Sequence, residues 1–172
     1  ESLVEVTMPN SVESIDYRLF AKCHNLTKVK LSNLITEIPM QCFAVCDKLE
    51  TIEIPESVEV IGNTAFSNCT SLKSIVLPSK LKSITYKAFN GCSSLESVSF
   101  PSSLELLGDS AFKNCVSLVS IELPNSITKI ENSVFEGCAQ LVNFNIPRGI
   151  KYITDNLFDG CIGPEEVVIP DN

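Results

Sequence analysis

Seven of the eight cysteines in this chain recur every 23 residues: Cys23, Cys46, Cys69, Cys92, Cys115, Cys138 and Cys161. Only Cys42 stands outside the series. A fixed period of this length means that each period is one supersecondary unit, which cannot bury its apolar face alone and must stack on its neighbours. The remaining positions keep the same beat. Phe20, Phe43, Phe66, Phe89, Phe112, Phe135 and Phe158 each precede a cysteine by three. Leu26, Leu49, Leu72, Leu95, Leu118 and Leu141 follow by three, with Pro164 as the exception. Six and eight residues after the cysteine come further apolar pairs, such as Ile52 and Ile54 or Ile75 and Leu77. Proline follows at once in six of seven cases, from Pro55 to Pro170, with Ser32 as the exception.

Written out, the unit is L-x-x-I-x-L-P-x-x-[LIV]-x-x-I-x-x-x-A-F-x-x-C. Its L-x-x-I-x-L portion alternates with period two and predicts a short strand with one buried face. Proline ends that strand because it has no N–H for the ladder. The segment leading to the cysteine, such as Asn63-Thr64-Ala65-Phe66-Ser67-Asn68, is too short for a normal helix and predicts one helical or 3-10 turn. Asn68, Gly91, Asn114, Gly137 and Gly160 precede five of the cysteines, where a left-handed cap is expected. Eight strands are predicted, beginning near Val4, Thr27, Glu50, Lys73, Glu96, Val119, Val142 and Glu165. At about 4.8 Å per strand the parallel sheet would extend roughly 35 Å along the stack. The phenylalanines are expected to form a spine, one per coil.

The fold class that follows is a β-rich α/β repeat solenoid. It is a right-handed superhelix with a parallel concave sheet of about eight short strands and short helical or 3-10 turns on the convex side. Residues 1–172 are read as a single domain of about seven repeats. Neither end carries an evident cap, so the chain is expected to be part of a longer protein or to self-associate through its ends. A net charge of −8 argues against nucleic acid and anionic membrane as partners. No apolar run approaches the roughly 18 residues that a membrane span needs.

Stretches such as Ile61-Gly62-Asn63-Thr64-Ala65-Phe66-Ser67-Asn68-Cys69-Thr70-Ser71-Leu72, completed by Ser74-Ile75-Val76-Leu77-Pro78, resemble the BspA-like, or treponemal-type, leucine-rich repeats. The resemblance covers essentially the whole chain. The asparagine of ordinary leucine-rich repeats is missing: its position holds Ser11, Leu34, Ser57, Lys80, Ser103, Ser126 and Gly149, so no asparagine ladder is expected. The resemblance implies a surface or secreted protein of a host-associated bacterium or protist, active in adhesion to matrix proteins and cells.

The cysteines admit three readings: disulfides, a metal site or packed thiols. Zinc needs ligands that converge on one point, whereas these lie in a line; Cys42 and Cys46 form one C-x3-C without a second pair. Disulfide distances are attainable between coils. Equivalent side chains point the same way, however, and buried free cysteine behaves as a small hydrophobe, so packed thiols are preferred. His24 is the single histidine and has no catalytic constellation around it. No phosphate loop or nucleophile elbow is present. No enzyme activity, metal or cofactor is expected. Asn25-Leu26-Thr27 and Asn68-Cys69-Thr70 match the glycosylation sequon but are read as unmodified loops, and Gly163-Pro164 is read as a turn.

Candidate functional residues are the outward strand positions of the concave face: Lys28, Lys30, Thr51, Glu53, Ser74, Val76, Ser97, Ser99, Ser120, Glu122, Asn143 and Asn145. They are small and polar in the middle, basic near one end and acidic near the other. Val119 and Val142 are expected to add a small apolar spot at neighbouring strand starts. The expected function is protein binding through this face by a cell-surface or secreted adhesin-type module. The alternatives are a cytoplasmic protein–protein scaffold, which free thiols would suit, and a spacer that recognises nothing.

Overall fold

Alternation decides the first element of every coil. In Lys28-Val29-Lys30 the valine is buried and both lysines are exposed, and Ser74-Ile75-Val76 and Ser97-Val98-Ser99 repeat the pattern. The computed structural model describes residues 3–163. In chain order the strands are β1 (Glu5–Thr7), β2 (Lys28–Lys30), β3 (Glu37–Ile38), β4 (Val60–Ile61), β5 (Ser74–Val76), β6 (Ser83–Ile84), β7 (Ser97–Ser99), β8 (Leu106–Leu107) and β9 (Lys129–Ile130). All pairings between them are parallel, and partners lie 23 residues apart.

Strands β1, β2, β5 and β7 belong to a first sheet, the one anticipated from L-x-x-I-x-L. Isolated bridges complete it: Lys30 to Glu53, Glu53 to Val76, Ser97 to Ser120 and Ser120 to Asn143. The eighth expected strand, near Glu165, lies outside the described residues.

A second parallel sheet, in the order β3-β4-β6-β8-β9, was not anticipated. It is formed by the [LIV]-x-x-I portion of the unit. Each strand there has only two residues, too few to show a period of its own. The proline before it sets the approach, because the proline carbonyl accepts the N–H three residues on, as in Leu81 to Pro78 at 3.1 Å and Leu104 to Pro101 at 3.1 Å. Where Ser32 replaces proline, the equivalent bond lengthens to 3.5 Å.

The expected helical or 3-10 turns are absent from the described residues, which hold strands, bridges and turns only. Backbone conformation explains the difference. Two residues per coil adopt positive φ, for example Thr64 at 53° and Asn68 at 59°, and a right-handed helix cannot continue through them. Alternate N–H groups then go to different partners. Ala65, Ser67 and Cys69 bond locally to Gly62, Thr64 and Phe66, whereas Thr64, Phe66 and Asn68 donate to Tyr86, Ala88 and Asn90 of the next coil. This side is therefore also a ladder between coils.

Phenylalanine fills the interior between these faces. Phe43, Phe66, Phe89, Phe112 and Phe135 are fully buried and stack at 5.2 Å, 5.1 Å, 5.1 Å and 5.7 Å between successive centroids. Each burial contributes about 1.5–3 kcal/mol. The spacing of the spine is close to the roughly 4.8 Å rise of a paired strand.

Serine partly replaces the missing asparagine. Ser57, Ser103 and Ser126 donate from Oγ to the carbonyls of Ile35, Leu81 and Leu104 in the preceding coil, at 2.6–2.7 Å. The result is an interrupted hydroxyl ladder at the position where no asparagine ladder was expected.

Candidate functional site

The outer face of the first sheet is built from strand residues whose neighbours in sequence point into the core. Val29, Ile52, Ile75, Val98 and Ile121 are buried, which fixes Lys28, Lys30, Thr51, Glu53, Ser74, Val76, Ser97, Ser99, Ser120 and Glu122 outward. All ten are exposed, as is Asn143. The register of the ladder brings Ser74, Ser97, Ser120 and Asn143 side by side on successive coils.

Asn145 is placed differently. Its Oδ1 accepts the Leu123 N–H at 2.6 Å, and its Nδ2 donates to the Leu123 carbonyl at 2.9 Å. The side chain thus takes both backbone groups of one residue on the neighbouring coil and is only half exposed. This amide is engaged with its own sheet rather than offered outward. An asparagine in an alternating segment gives no sequence signal of such a clamp.

Between the coils of Ser97 and Ser120 the face opens into a shallow depression of about 630 Å³, bordered by Ser99, Ser102, Glu122 and Asn125 and floored partly by Phe100. The Phe100 ring sits edge-on to Phe112 at 5.5 Å. Hydroxyls and amides dominate the rim, and Glu122 supplies the charge. Val119 is exposed and Val142 half exposed, joined by a backbone bond of 3.0 Å.

Charge is arranged differently on the remaining faces. Lys82 pairs with Glu59 at 2.7 Å and Lys113 with Glu136 at 2.7 Å. Hydrogen bonding to Lys82 lowers the Glu59 carboxyl pKa, and Glu59 in turn raises that of Lys82. Among the described residues, neither Lys28 nor Lys30 has an ion pair within 4.0 Å.

The other chemical candidates resolve into structure. Each thiol from Cys46 to Cys161 in the periodic series donates to the carbonyl of a phenylalanine 26 residues earlier. Burial pushes Cys46 and Cys138 up to about 12, and it raises Cys69, Cys92 and Cys115 well above the ordinary thiol value. Cys42 is likewise pushed up to about 12, first by burial and then by the nearby Cys46. These groups are poor nucleophiles. His24 Nδ1 lies 2.6 Å from Asp47 Oδ2 on an exposed rim, with no third group in line among the described residues. No cluster of metal-ligating side chains occurs among the described residues, and no helix there is long and apolar enough to cross a membrane. Of the two sequons, Asn68 is exposed, whereas Asn25 is half-buried and accepts from Lys48 Nζ at 2.9 Å.

Comparison with known proteins agrees with this architecture. Residues 1–115 and 60–172 match, in six copies, the family described as BspA type leucine rich repeat region. A leucine-rich-repeat protein of Treponema pallidum is similar at 32% identity and a TM-score of 0.72, over 96% of this chain and 71% of that one. One from Eubacterium ventriosum is similar at 30% identity and a TM-score of 0.85, over 94% of this chain and 44% of that one. A leucine-rich cell surface protein of Faecalibacterium prausnitzii is similar at 26% identity and a TM-score of 0.51, over 96% of this chain and 59% of that one. The chain thus spans less than two thirds of the last two. No curated protein matches it significantly.

Proposed function

The chain belongs to the BspA-type leucine-rich-repeat family, and on that premise we propose that it is a protein-binding module of a cell-surface or secreted adhesin, engaging its partner through the first sheet. The observation that carries this reading is the run of exposed short side chains Ser74, Ser97, Ser99 and Ser120 on a rigid ladder. Short hydroxyls leave room for a partner's bulk and present hydrogen-bonding groups at one fixed spacing. Ordering them costs little, because serine has few rotamers to lose. The similarity to a protein described as a cell surface protein supports the compartment.

Surface plasmon resonance of the full chain against a panel of purified extracellular-matrix proteins tests this reading. Binding to at least one is expected, lost in Ser97→Arg/Ser120→Arg and kept in Thr70→Arg on the turn side. Binding to none of them, or binding indifferent to the serine changes, would remove the reading. The free thiols favour a second one, a cytoplasmic scaffold. Labelling of the protein on unpermeabilised cells separates the two.

A further inference from the structure

We propose that the depression beside Phe100 is a carboxamide pocket, which takes the side-chain amide of an asparagine or glutamine from a protein partner. The inference rests on the reading of the first sheet as a binding face. It comes from what Asn145 does one coil further on.

Phe100 and Leu123 stand at equivalent positions on successive coils, 23 residues apart. The Leu123 N–H and carbonyl are both met by one amide, that of Asn145, at 2.6 Å and 2.9 Å. Among the described residues, the Phe100 N–H and carbonyl have no hydrogen-bond partner. The residue that corresponds to Asn145 there is Glu122, which is exposed and bonds to neither group. Side-chain chemistry accounts for the difference. An ionised carboxylate offers acceptors only, so in taking the N–H it would set a second negative oxygen against the carbonyl oxygen. A carboxamide carries an acceptor and a donor at the matching spacing, as Asn145 demonstrates.

Asn145 reaches Leu123 from the following coil, so the equivalent pair on Phe100 faces the coil of Glu122. The depression of about 630 Å³ is lined by both residues. Leu31, Ile54 and Leu77 also carry unmet pairs, but they are buried, whereas Phe100 is half exposed. A single peptide group does not fit this pair, because in the trans form its N–H and C=O point to opposite sides. A primary carboxamide presents both on one edge. An inserted strand would find no further bonds: Ser97 is already bridged to Ser120, and Pro101 has no N–H. Solvent meets the pair in the free protein, and a carboxamide can replace it with bonds of the same kind and number.

Nuclear magnetic resonance of the isotope-labelled full chain tests this with acetamide as the probe, titrated to about 200 mM because so small a ligand binds weakly. Acetamide is expected to move the Phe100 amide proton downfield, with saturation. Acetate and N-methylacetamide, which do not carry a donor and an acceptor on one edge, should leave it in place. Glu122→Asn supplies the clamp from within, so Phe100 amide exchange should slow towards that of Leu123 and the acetamide response should vanish. No shift with acetamide, equal shifts from all three compounds, or a Glu122→Asn chain that still responds would overturn the proposal. For a matrix protein that the chain binds, Glu122→Asn should raise Kd about tenfold, whereas Glu122→Ala, which leaves the pair open, should stay within about threefold. Equal weakening by both would also overturn it. If binding is lost in Ser97→Arg/Ser120→Arg but unchanged by Glu122→Asn, the pocket falls and the binding face stands. If no matrix protein binds while acetamide does, the binding-face reading falls and the carboxamide pocket stands.

Discussion

The Sγ of Cys92 donates to the carbonyl oxygen of Phe66, one coil earlier, at 3.1 Å. The same oxygen already accepts the N–H of Cys69 at 3.1 Å. A carbonyl has two lone pairs, and in this stack the second is met by a thiol from the next coil. Cysteine therefore fills the interior like a small apolar residue and also stitches adjacent coils. Cys92→Ala removes both contributions and should lower stability by about 1–2 kcal/mol in chemical denaturation. Cys92→Ser keeps a donor and should lose less; equal losses would argue that the hydrogen bond contributes nothing.

Raised thiol pKa values have a direction in pH. Unfolded thiols ionise near their ordinary value of 9.0, while buried Cys42, Cys46 and Cys138 hold their protons to about 12. Above the unfolded value the native state binds more protons, so stability falls as pH rises and is fully present below it. Each such thiol contributes a slope of about 1.4 kcal/mol per pH unit, and several act together. Cooperative unfolding is expected between pH 9 and about 11, followed by circular dichroism. Unchanged stability across that window would contradict the buried-thiol account.

Asn68 and Gly91 occupy equivalent positions on adjacent coils and depend on one another. Gly91 has φ of +74°, and a Cβ there would come within 2.3 Å of Asn68 Oδ1. Gly91→Ala therefore meets both a left-handed backbone penalty of about 1–2 kcal/mol and a displaced amide. In an Asn68→Gly background only the first remains, so the two changes should be non-additive in a double-mutant cycle. Strict additivity would show that the amide moves without cost.

Gly108 has a different reason to be glycine. A Cβ there would lie 2.6 Å from the Thr85 carbonyl carbon and 2.8 Å from the Tyr86 nitrogen. These are backbone atoms immediately after β6 and cannot rotate aside. Gly108→Ala is expected to cost about 1–3 kcal/mol, with Tm lowered accordingly. A melt indistinguishable from wild type would mean that the coils can separate there.

Replacing Asn145 tests the clamp on Leu123. Asn145→Leu keeps the size but leaves the Leu123 N–H and carbonyl without the bonds that the amide gives them, a loss of about 1–3 kcal/mol. Faster hydrogen exchange at the Leu123 amide should accompany it. Retained protection at that amide would indicate that the backbone of residue 145 takes over.

The residues that announce themselves are those whose side chains repeat with the coil. Val29, Ile52 and Ile75 mark one strand through alternation, and Asn68, Gly91, Asn114 and Gly137 mark a left-handed position, which the structure shows at +59°, +74°, +61° and +73°. A second left-handed column, Arg18, Gln41, Thr64, Lys87, Ser110, Ser133 and Asn156, gives no such notice. Its residues are ordinary polar ones, and the conformation is imposed by hydrogen bonds such as Lys87 N–H to Asp109 at 2.9 Å on the next coil.

The sequence by itself determined the 23-residue register, the phenylalanine spine, the first sheet and the set of side chains that face out from it. All of these follow from local periodicity, which dictates which side chains share a face before any coil meets another. Only the tertiary structure decided the second sheet, the replacement of helical turns by a ladder, the thiol donors and the withdrawal of Asn145 from the open face. Each depends on a partner 22 to 26 residues away. Such a partner comes within hydrogen-bonding distance only when coils are stacked, and a backbone group can bond through it whatever side chain its own residue carries.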